Sequence, residues 1–249
     1  MITLCTSLSP QRERQTVQME ALISWVRHGF AVCSLNAPAE IAVLADFGSV
    51  CELVPFMPGP RDAQGRALVP VAKLLELSFD RNQGNQAWLL NSDLILDGGP
   101  EVIGPVGESD VVLIPRWDLD TGNRSAVSNP WGWDGVVLGK NLRGLFTNPR
   151  FMLGTPWWDY WVPFRALSRG FAVHCLVRRW AVHPVHPERW NERDRRRLAG
   201  QMWAEAGVGP LRRLWLRHFG PKKERKLYGY HNHLAGHIRD LVASRALPR

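Results

Sequence analysis

The 249-residue sequence has no Cys-x-x-Cys pair, no Gly-x-Gly-x-x-Gly and no Gly-x-x-x-x-Gly-Lys-Ser/Thr. The first absence argues against zinc held by cysteine. The other two remove the dinucleotide fingerprint and the P-loop. No segment reaches the roughly 18 apolar residues of a membrane span. The N-terminus runs straight into a strand-like segment without a charged-then-apolar leader pattern, so a cytoplasmic protein is expected. Cysteine is scarce, and Cys5, Cys33 and Cys51 lie in apolar runs as small buried hydrophobes. Free buried thiols suit a reducing compartment. There is no internal repeat and no evident linker.

Tyrosine is also scarce: three Tyr stand beside twelve Trp. Several of those Trp cluster between positions 131 and 161, which suggests a site wall as well as a core. An apolar content of 45% supports a real core. The net charge of +8 is uneven. From Pro187 to Arg249, 15 Lys and Arg face 6 Asp and Glu, whereas the rest of the chain carries 16 against 17. A basic last quarter fits either a solvated helix face or contact with an anionic surface.

The first 56 residues have a β-α-β-α-β rhythm. Strands are expected at Ile2–Thr6, Phe30–Leu35 and Val50–Phe56. A helix over Gln11–His28 takes Ser9 as N-cap and buries Val17, Leu22, Ile23, Trp25 and Val26. A short helix follows over Ala39–Phe47. Met57–Leu68 reads as a loop and Pro70–Phe79 as a helix. Gln86 to Asp97 then places the apolar run Ala87-Trp88-Leu89-Leu90 before Asn91-Ser92-Asp93 and a second apolar run, Leu94-Ile95-Leu96. Such a run fits a strand buried on both faces. Further strands are expected at Asp110–Pro115, Trp133–Leu138 and Phe171–Leu176, with a long loop over Trp117–Trp133. A helix over Trp157–Leu167 should be kinked or shortened by Pro163. Trp180–Pro187 reads as extended. Helices are expected over Asn191–Ala206, Pro210–Phe219 and Pro221 to about Ser244. The organisation expected is an α/β domain over residues 1–190, with a nucleotide-binding half (1–115) and an acceptor half (116–190). A basic helical extension over 191–249 packs on it.

Five constellations could carry chemistry. The loop after the first strand, Thr6 to Gln15, borders the crevice where open α/β sheets bind ligands, and Arg12 or Arg14 could grip a diphosphate. Asn91-Ser92-Asp93 is a minimal site for a hard divalent cation that also takes phosphate oxygens, or else a turn stabilised by local hydrogen bonds. Gly132-Trp133-Asp134 pairs an aromatic ring with a carboxylate, a common way to hold a sugar, or is a turn before a strand. In Gly154-Thr155-Pro156-Trp157-Trp158-Asp159-Tyr160-Trp161, four aromatics surround one carboxylate, which does not suit a solvated loop. A desolvated carboxylate has a raised pKa and can act as a general base. In the extended segment His183-Pro184-Val185-His186 both His are expected on one face, where they could ligate a metal or grip a phosphate.

Together these stretches resemble the GT-A-fold glycosyltransferases of the nucleotide-diphospho-sugar transferase superfamily. The resemblance covers about Ile2 to Trp190. It rests on Thr6-Ser7-Leu8-Ser9-Pro10 with Gln15, Ser24-Trp25, Ser34-Leu35-Asn36 with Glu40-Ile41, Asn91-Ser92-Asp93-Leu94-Ile95-Leu96, Gly132-Trp133-Asp134 and Gly154 to Trp161. It implies a Rossmann-type central sheet flanked by helices. It also implies transfer of a sugar from a nucleotide-diphosphate donor to an acceptor hydroxyl, assisted by Mn²⁺ or Mg²⁺. By that resemblance Asp93 ligates the metal and His186 is the late histidine ligand. Thr6, Ser7, Arg12, Asn36, Asn91, Ser92 and Arg116 would bind the sugar nucleotide. Trp133, Asp134, Trp157 and Trp158 would bind donor sugar or acceptor. Asp159 would be the base, which favours inversion. Asn91 stands where the motif usually has a first Asp, which leaves metal dependence open.

Two other readings stand beside it. One is an inactive GT-A-like protein that binds a sugar nucleotide. The other is a nucleic-acid or anionic-surface binder using the basic C-terminal helices. Nucleic acid is disfavoured because the Trp residues do not interleave with the basic ones. Under the transferase reading the basic end could rest on the inner membrane surface, where lipid-linked acceptors are found.

Overall fold

The computed structural model describes residues 1–57, 59–62, 65–120, 125–185, 190, 192–207, 231–245 and 247–248. The amino-terminal half alternates as the periodicity predicts. It contains β1 (Thr3–Thr6), α1 (Arg12–Arg27), β2 (Ala31–Asn36), α2 (Pro38–Val43), β3 (Glu52–Pro55), α3 (Val71–Arg81) and β4 (Gln86–Leu90). Then come β5 (Ile95–Leu96), β6 (Asp110–Asp120), β7 (Ser125–Gly139), α4 (Trp158–Ser168), β8 (Ala172–Cys175) and β9 (Ala181–Pro184). The chain closes with α5 (Glu192–Glu205), α6 (His231–Arg245) and β10 (Leu247–Pro248). His186 and the helix expected over 210–219 lie outside the described residues, as does the first part of the one expected from Pro221.

The described strands form one mixed sheet in the order β10-β8-β6-β7-β4-β1-β2-β3, with β9 paired to both β5 and β6. Strands β3, β2, β1 and β4 are parallel neighbours, and β7 runs antiparallel to both β4 and β6. The carboxyl ends of β1, β2 and β4 therefore share one edge, where open α/β sheets bind ligands.

Strand alternation divides the core in two. Cys5, Ala87, Leu89, Val111, Leu113, Val136 and Leu138 face α3, α4, α5 and α6. Leu4, Trp88, Leu90, Val112, Ile114 and Val137 face the other way, onto Leu22 and Trp25 of α1. α1 buries a narrower stripe than its apolar residues suggest: Ile23 is 41% and Val26 43% exposed. Gln18, Ala21, Leu22, Ser24 and Trp25 form the buried face instead.

Three further expectations about single elements need correction. α1 starts at Arg12 with Gln11 at the N-cap, not with Ser9. The Ser9 backbone is held elsewhere: its N–H donates to Gln18 Oε1 at 2.6 Å and its carbonyl accepts from Gln18 Nε2 at 3.0 Å. The stretch expected as a loop over Trp117–Trp133 belongs largely to the β6–β7 pair, which extends from Val111↔Leu138 to Asp120↔Ser125 with register shifts around Pro115. Polar sequence hid it because sheet pairing is a long-range choice. The helix expected over Trp157–Leu167 is present as α4, and Pro163 inside it does not shorten it. The proline leaves the Asp159 carbonyl without its usual i+4 amide donor. The division expected after residue 115 falls inside β6, and β10 from the C-terminal segment pairs with β8.

Candidate active site

α1 positions the segment that follows β4. The Trp25 indole N–H donates to the Leu94 carbonyl at 2.6 Å. Ser24 Oγ accepts from the Leu96 amide at 3.0 Å, and Ser92 Oγ donates to Gln18 Oε1 at 3.0 Å. Ser92 and Asp93 make a turn between these anchors, so the turn expected here and an outward-facing Asp93 are the same structure.

Asp93 meets cationic groups from two other elements. Its Oδ2 lies 4.0 Å from an Arg14 guanidinium nitrogen and 3.6 Å from His183 Nε2 on β9. His183 is buried, and its Nδ1 lies 3.2 Å from Asp118 Oδ1 on β6. Arg116, two residues before Asp118, places Nε 2.9 Å from Asp118 Oδ1 and 3.7 Å from Asp134 Oδ2 on β7. Asn91 closes the group: its side-chain amide donates to Asp134 Oδ1 at 3.0 Å, and its backbone N–H donates to the Asp134 carbonyl at 2.8 Å. Asn91, Asp93, Asp118, Arg116, Asp134, His183 and Arg14 are thus one charged cluster beyond the end of β4.

The cluster shifts its own titrations. Burial alone lowers the His183 pKa. Contact with Asp93, with the charges of Asp93 and Asp134, outweighs burial and raises it. Burial raises the Asp134 carboxyl, while the charges of Arg116 and His183 oppose the rise.

Asp159 sits beside this cluster. It is the second residue of α4, and its Oδ2 accepts from the Trp133 backbone N–H at 3.4 Å. Burial of the carboxyl, with the nearby Asp134 charge, raises its pKa to about 7. The preceding residue geometry is demanding. Trp157 is the N-cap in a left-handed conformation, φ 86°, a strain of about 1–2 kcal/mol for a side chain of this kind. The indole N–H of Trp157 donates to the Arg195 carbonyl of α5 at 2.8 Å, and its ring packs against Tyr160. Trp133 packs edge-on against Tyr160 as well. Trp133, Trp157 and Trp158 are all buried, so little of their surface reaches solvent.

The residues named at the ends of β1 and β2 divide by role. Asn36 is fully buried and committed internally. Its Nδ2 donates to the Leu8 carbonyl at 2.8 Å and to Glu40 Oε2 at 3.3 Å, and its Oδ1 accepts from Ser34 Oγ at 2.6 Å. Ser34 Oγ in turn accepts from the Leu8 amide at 3.0 Å, so β2 holds the β1–α1 loop in place. The Thr6 and Ser7 hydroxyls are buried without a hydrogen-bond partner among the described residues. Arg12 is exposed, and Arg14 is the arginine that reaches the cluster.

Sequence reasoning missed Asp118 and Arg66 altogether. Asp118 lay in a stretch taken for a loop. Arg66 is buried with Nη2 3.5 Å from the Ser7 carbonyl. His183 was visible as half of a His-x-x-His pair, but residues three apart on a strand face opposite sides, so the single shared face expected for the two His does not hold.

The donor set suits a divalent cation that completes its shell with ligand oxygens. A carboxylate and an imidazole nitrogen face each other at 3.6 Å, and the other imidazole nitrogen is engaged by a carboxylate. One or two protein ligands plus phosphate oxygens is the usual arrangement for Mg²⁺-like ions. Among the described residues no group of three His, Cys, Asp or Glu side chains is arranged to hold a metal without such help. Asn91 adds no charge, and its amide is bound to Asp134.

No family model matches the sequence, and neither does any curated protein. Among solved structures, mannose-1-phosphate geranyltransferase from Thermus thermophilus aligns at 11% identity and TM-score 0.36, over 56% of this chain and 57% of that one. The glycosyltransferase GlyE of Streptococcus pneumoniae aligns at 12% identity and TM-score 0.30, over 57% of this chain and 35% of that one. The apo form of GlyE aligns at 10% identity and TM-score 0.30, over 98% of this chain and 52% of that one. This chain therefore spans less than two thirds of each of those chains. Likeness this slight identifies no activity, which has to be read from the side chains themselves. No helix among the described residues is long and apolar enough to cross a membrane.

Proposed function

We propose that the chain is a GT-A-like glycosyltransferase that moves a sugar from a nucleotide-diphosphate donor to an acceptor hydroxyl. One observation carries this reading. A polar cluster able to hold a diphosphate lies at the carboxyl edge of the sheet, and a carboxyl with pKa about 7 lies beside it. Asp93 and His183 would hold Mn²⁺ or Mg²⁺, and His183 takes the place proposed from sequence for His186. When bound, the cation would neutralise charge on the diphosphate.

The chain's own groups have separate tasks. Arg14, within 4.0 Å of Asp93, supplies positive charge to the phosphates. The buried Thr6 and Ser7 hydroxyls at the end of β1 are donors for the nucleotide. Asp134, fixed by Asn91 and Arg116, faces the sugar. Asp159 takes the proton from the acceptor hydroxyl. The acceptor oxygen then bonds to the anomeric carbon as the carbon–phosphate oxygen bond breaks, and the nucleoside diphosphate leaves with that electron pair. Because Asp159 acts as a base and not as a nucleophile, the configuration inverts.

The test is thermal melting with a panel of nucleoside diphosphates, with and without Mn²⁺. A ligand at about 100 times its Kd stabilises by about 2.7 kcal/mol, a rise of roughly 5–11 °C for a domain of this size. That rise should need Mn²⁺ and vanish in Asp93→Ala. Retention on nucleic acid at low salt, with no response to any nucleotide, would sink the reading. Stabilisation by sugar nucleotides without turnover would reduce it to a binding protein.

A further inference from the structure

We propose that Asp118 is a positioning residue: it holds His183 with the proton on Nδ1, so that Nε2 is presented beside Asp93 as a ligand for a divalent cation. This rests on the transferase reading only for the identity of the site.

The geometry comes from the sheet. β6 and β9 are parallel neighbours with Asp118 directly opposite His183 in register. The register shifts around Pro115 interrupt the β6–β7 ladder just before Arg116. Irregularities of this kind re-aim side chains. Arg116 and Asp118, two residues apart, share one strand face. Asp118 Oδ1 lies 3.2 Å from His183 Nδ1 and 2.9 Å from Arg116 Nε.

A carboxylate can only accept here, so the imidazole proton facing it sits on Nδ1. The ring is then committed to one orientation, and once Nε2 gives up its proton its lone pair faces the space beside Asp93 Oδ2, 3.6 Å away. Arg116 contacts both Asp118 and Asp134, so the orienting carboxylate is held in place by a side chain that also meets β7. Carboxylate partners of this kind commonly set ligand affinity by one to two orders of magnitude without touching the metal.

Mn²⁺ alone is the probe, titrated into the full chain with free Mn²⁺ read by electron paramagnetic resonance. The tautomer of the neutral His183 ring is read by nitrogen-15 NMR in metal-free protein at alkaline pH. Asp118→Asn and Asp118→Ala should weaken Mn²⁺ binding by about 10- to 100-fold. Both should also move His183 away from a pure Nδ1–H form while the melting transition stays cooperative. His183→Ala should weaken binding at least as much, and Asp118→Ala should add little to it in the double variant. Unchanged Mn²⁺ affinity or an unchanged tautomer in folded Asp118 variants would overturn the proposal. So would the absence of any Mn²⁺ binding by the wild-type chain. In that last case the metal assistance falls with it, and stabilisation by nucleoside diphosphates without metal would leave a metal-independent transferase.

Discussion

The Trp133 backbone N–H donates to Asp159 Oδ2 across 3.4 Å, and the residue before it, Gly132, leaves no room for a side chain against the same oxygen. A Cβ on Gly132 would lie 2.1 Å from Oδ2, and the backbone there has φ 86°. β7 and the start of α4 are thereby fitted together around one carboxylate.

Gly132→Ala should displace Asp159 and strain the turn. The expected loss is about 1–3 kcal/mol of stability, visible in urea melts, with a larger proportional loss of sugar transfer. Wild-type transfer rates in a stably folded Gly132→Ala variant would argue against Asp159 as the base.

Asp159 predicts opposite pH trends for rate and stability. Its folded pKa, about 7, lies above the value of an unfolded chain, so the native state holds the proton more tightly. Its contribution to stability is full below pH 4 or so and is lost as pH rises through about 7. The transfer rate should do the reverse, rising with pH and levelling above about 7. Asp159→Asn should flatten the stability profile over that window and lower the rate by at least about 100-fold. Melting curves and initial rates between pH 5 and 9 test both.

Arg14 and Arg12 should separate cleanly. Arg14 stands by Asp93, whereas Arg12 is exposed on the first turn of α1. Arg14→Gln should weaken nucleoside diphosphate binding by roughly 10- to 150-fold, in line with loss of a charge-assisted hydrogen bond of about 1.5–3 kcal/mol. Arg12→Gln should leave it within about twofold. Calorimetric titration of both variants decides this, and equal effects would misplace the phosphates.

Asn36 should prove to be a loop anchor. Removing its side chain frees the Leu8 carbonyl and the Ser34 hydroxyl in a buried setting. Asn36→Ala should cost about 2–4 kcal/mol and lower the melting temperature accordingly. Nucleotide bound near Thr6 should recover part of that loss, which a melt at saturating ligand would detect.

Much of the amino-terminal half is legible because its signals are local. Apolar runs of four to six residues alternate with helical stripes, and Asn91-Ser92-Asp93 breaks the run at a strand end. The carboxylate among aromatics at Asp159 is visible for the same reason: a charged residue in an apolar surrounding stands out in a short window. Ile23 and Val26 show the limit of such windows. Both fit an apolar stripe, yet the sheet meets α1 along Leu22 and Trp25 instead.

The sequence by itself determined where buried segments lie, that a carboxylate ends β4 and that another opens α4. Only the tertiary structure decided the company these groups keep. Asp118 and His183 are 65 residues apart and meet because β6 and β9 pair in one register. Arg14, not Arg12, reaches Asp93 because the turns of α1 fix which arginine faces the edge of the sheet. Gly132 matters because α4 brings Asp159 onto it. Burial follows local pattern, but a charge takes its pKa and its role from neighbours that long-range strand pairing supplies.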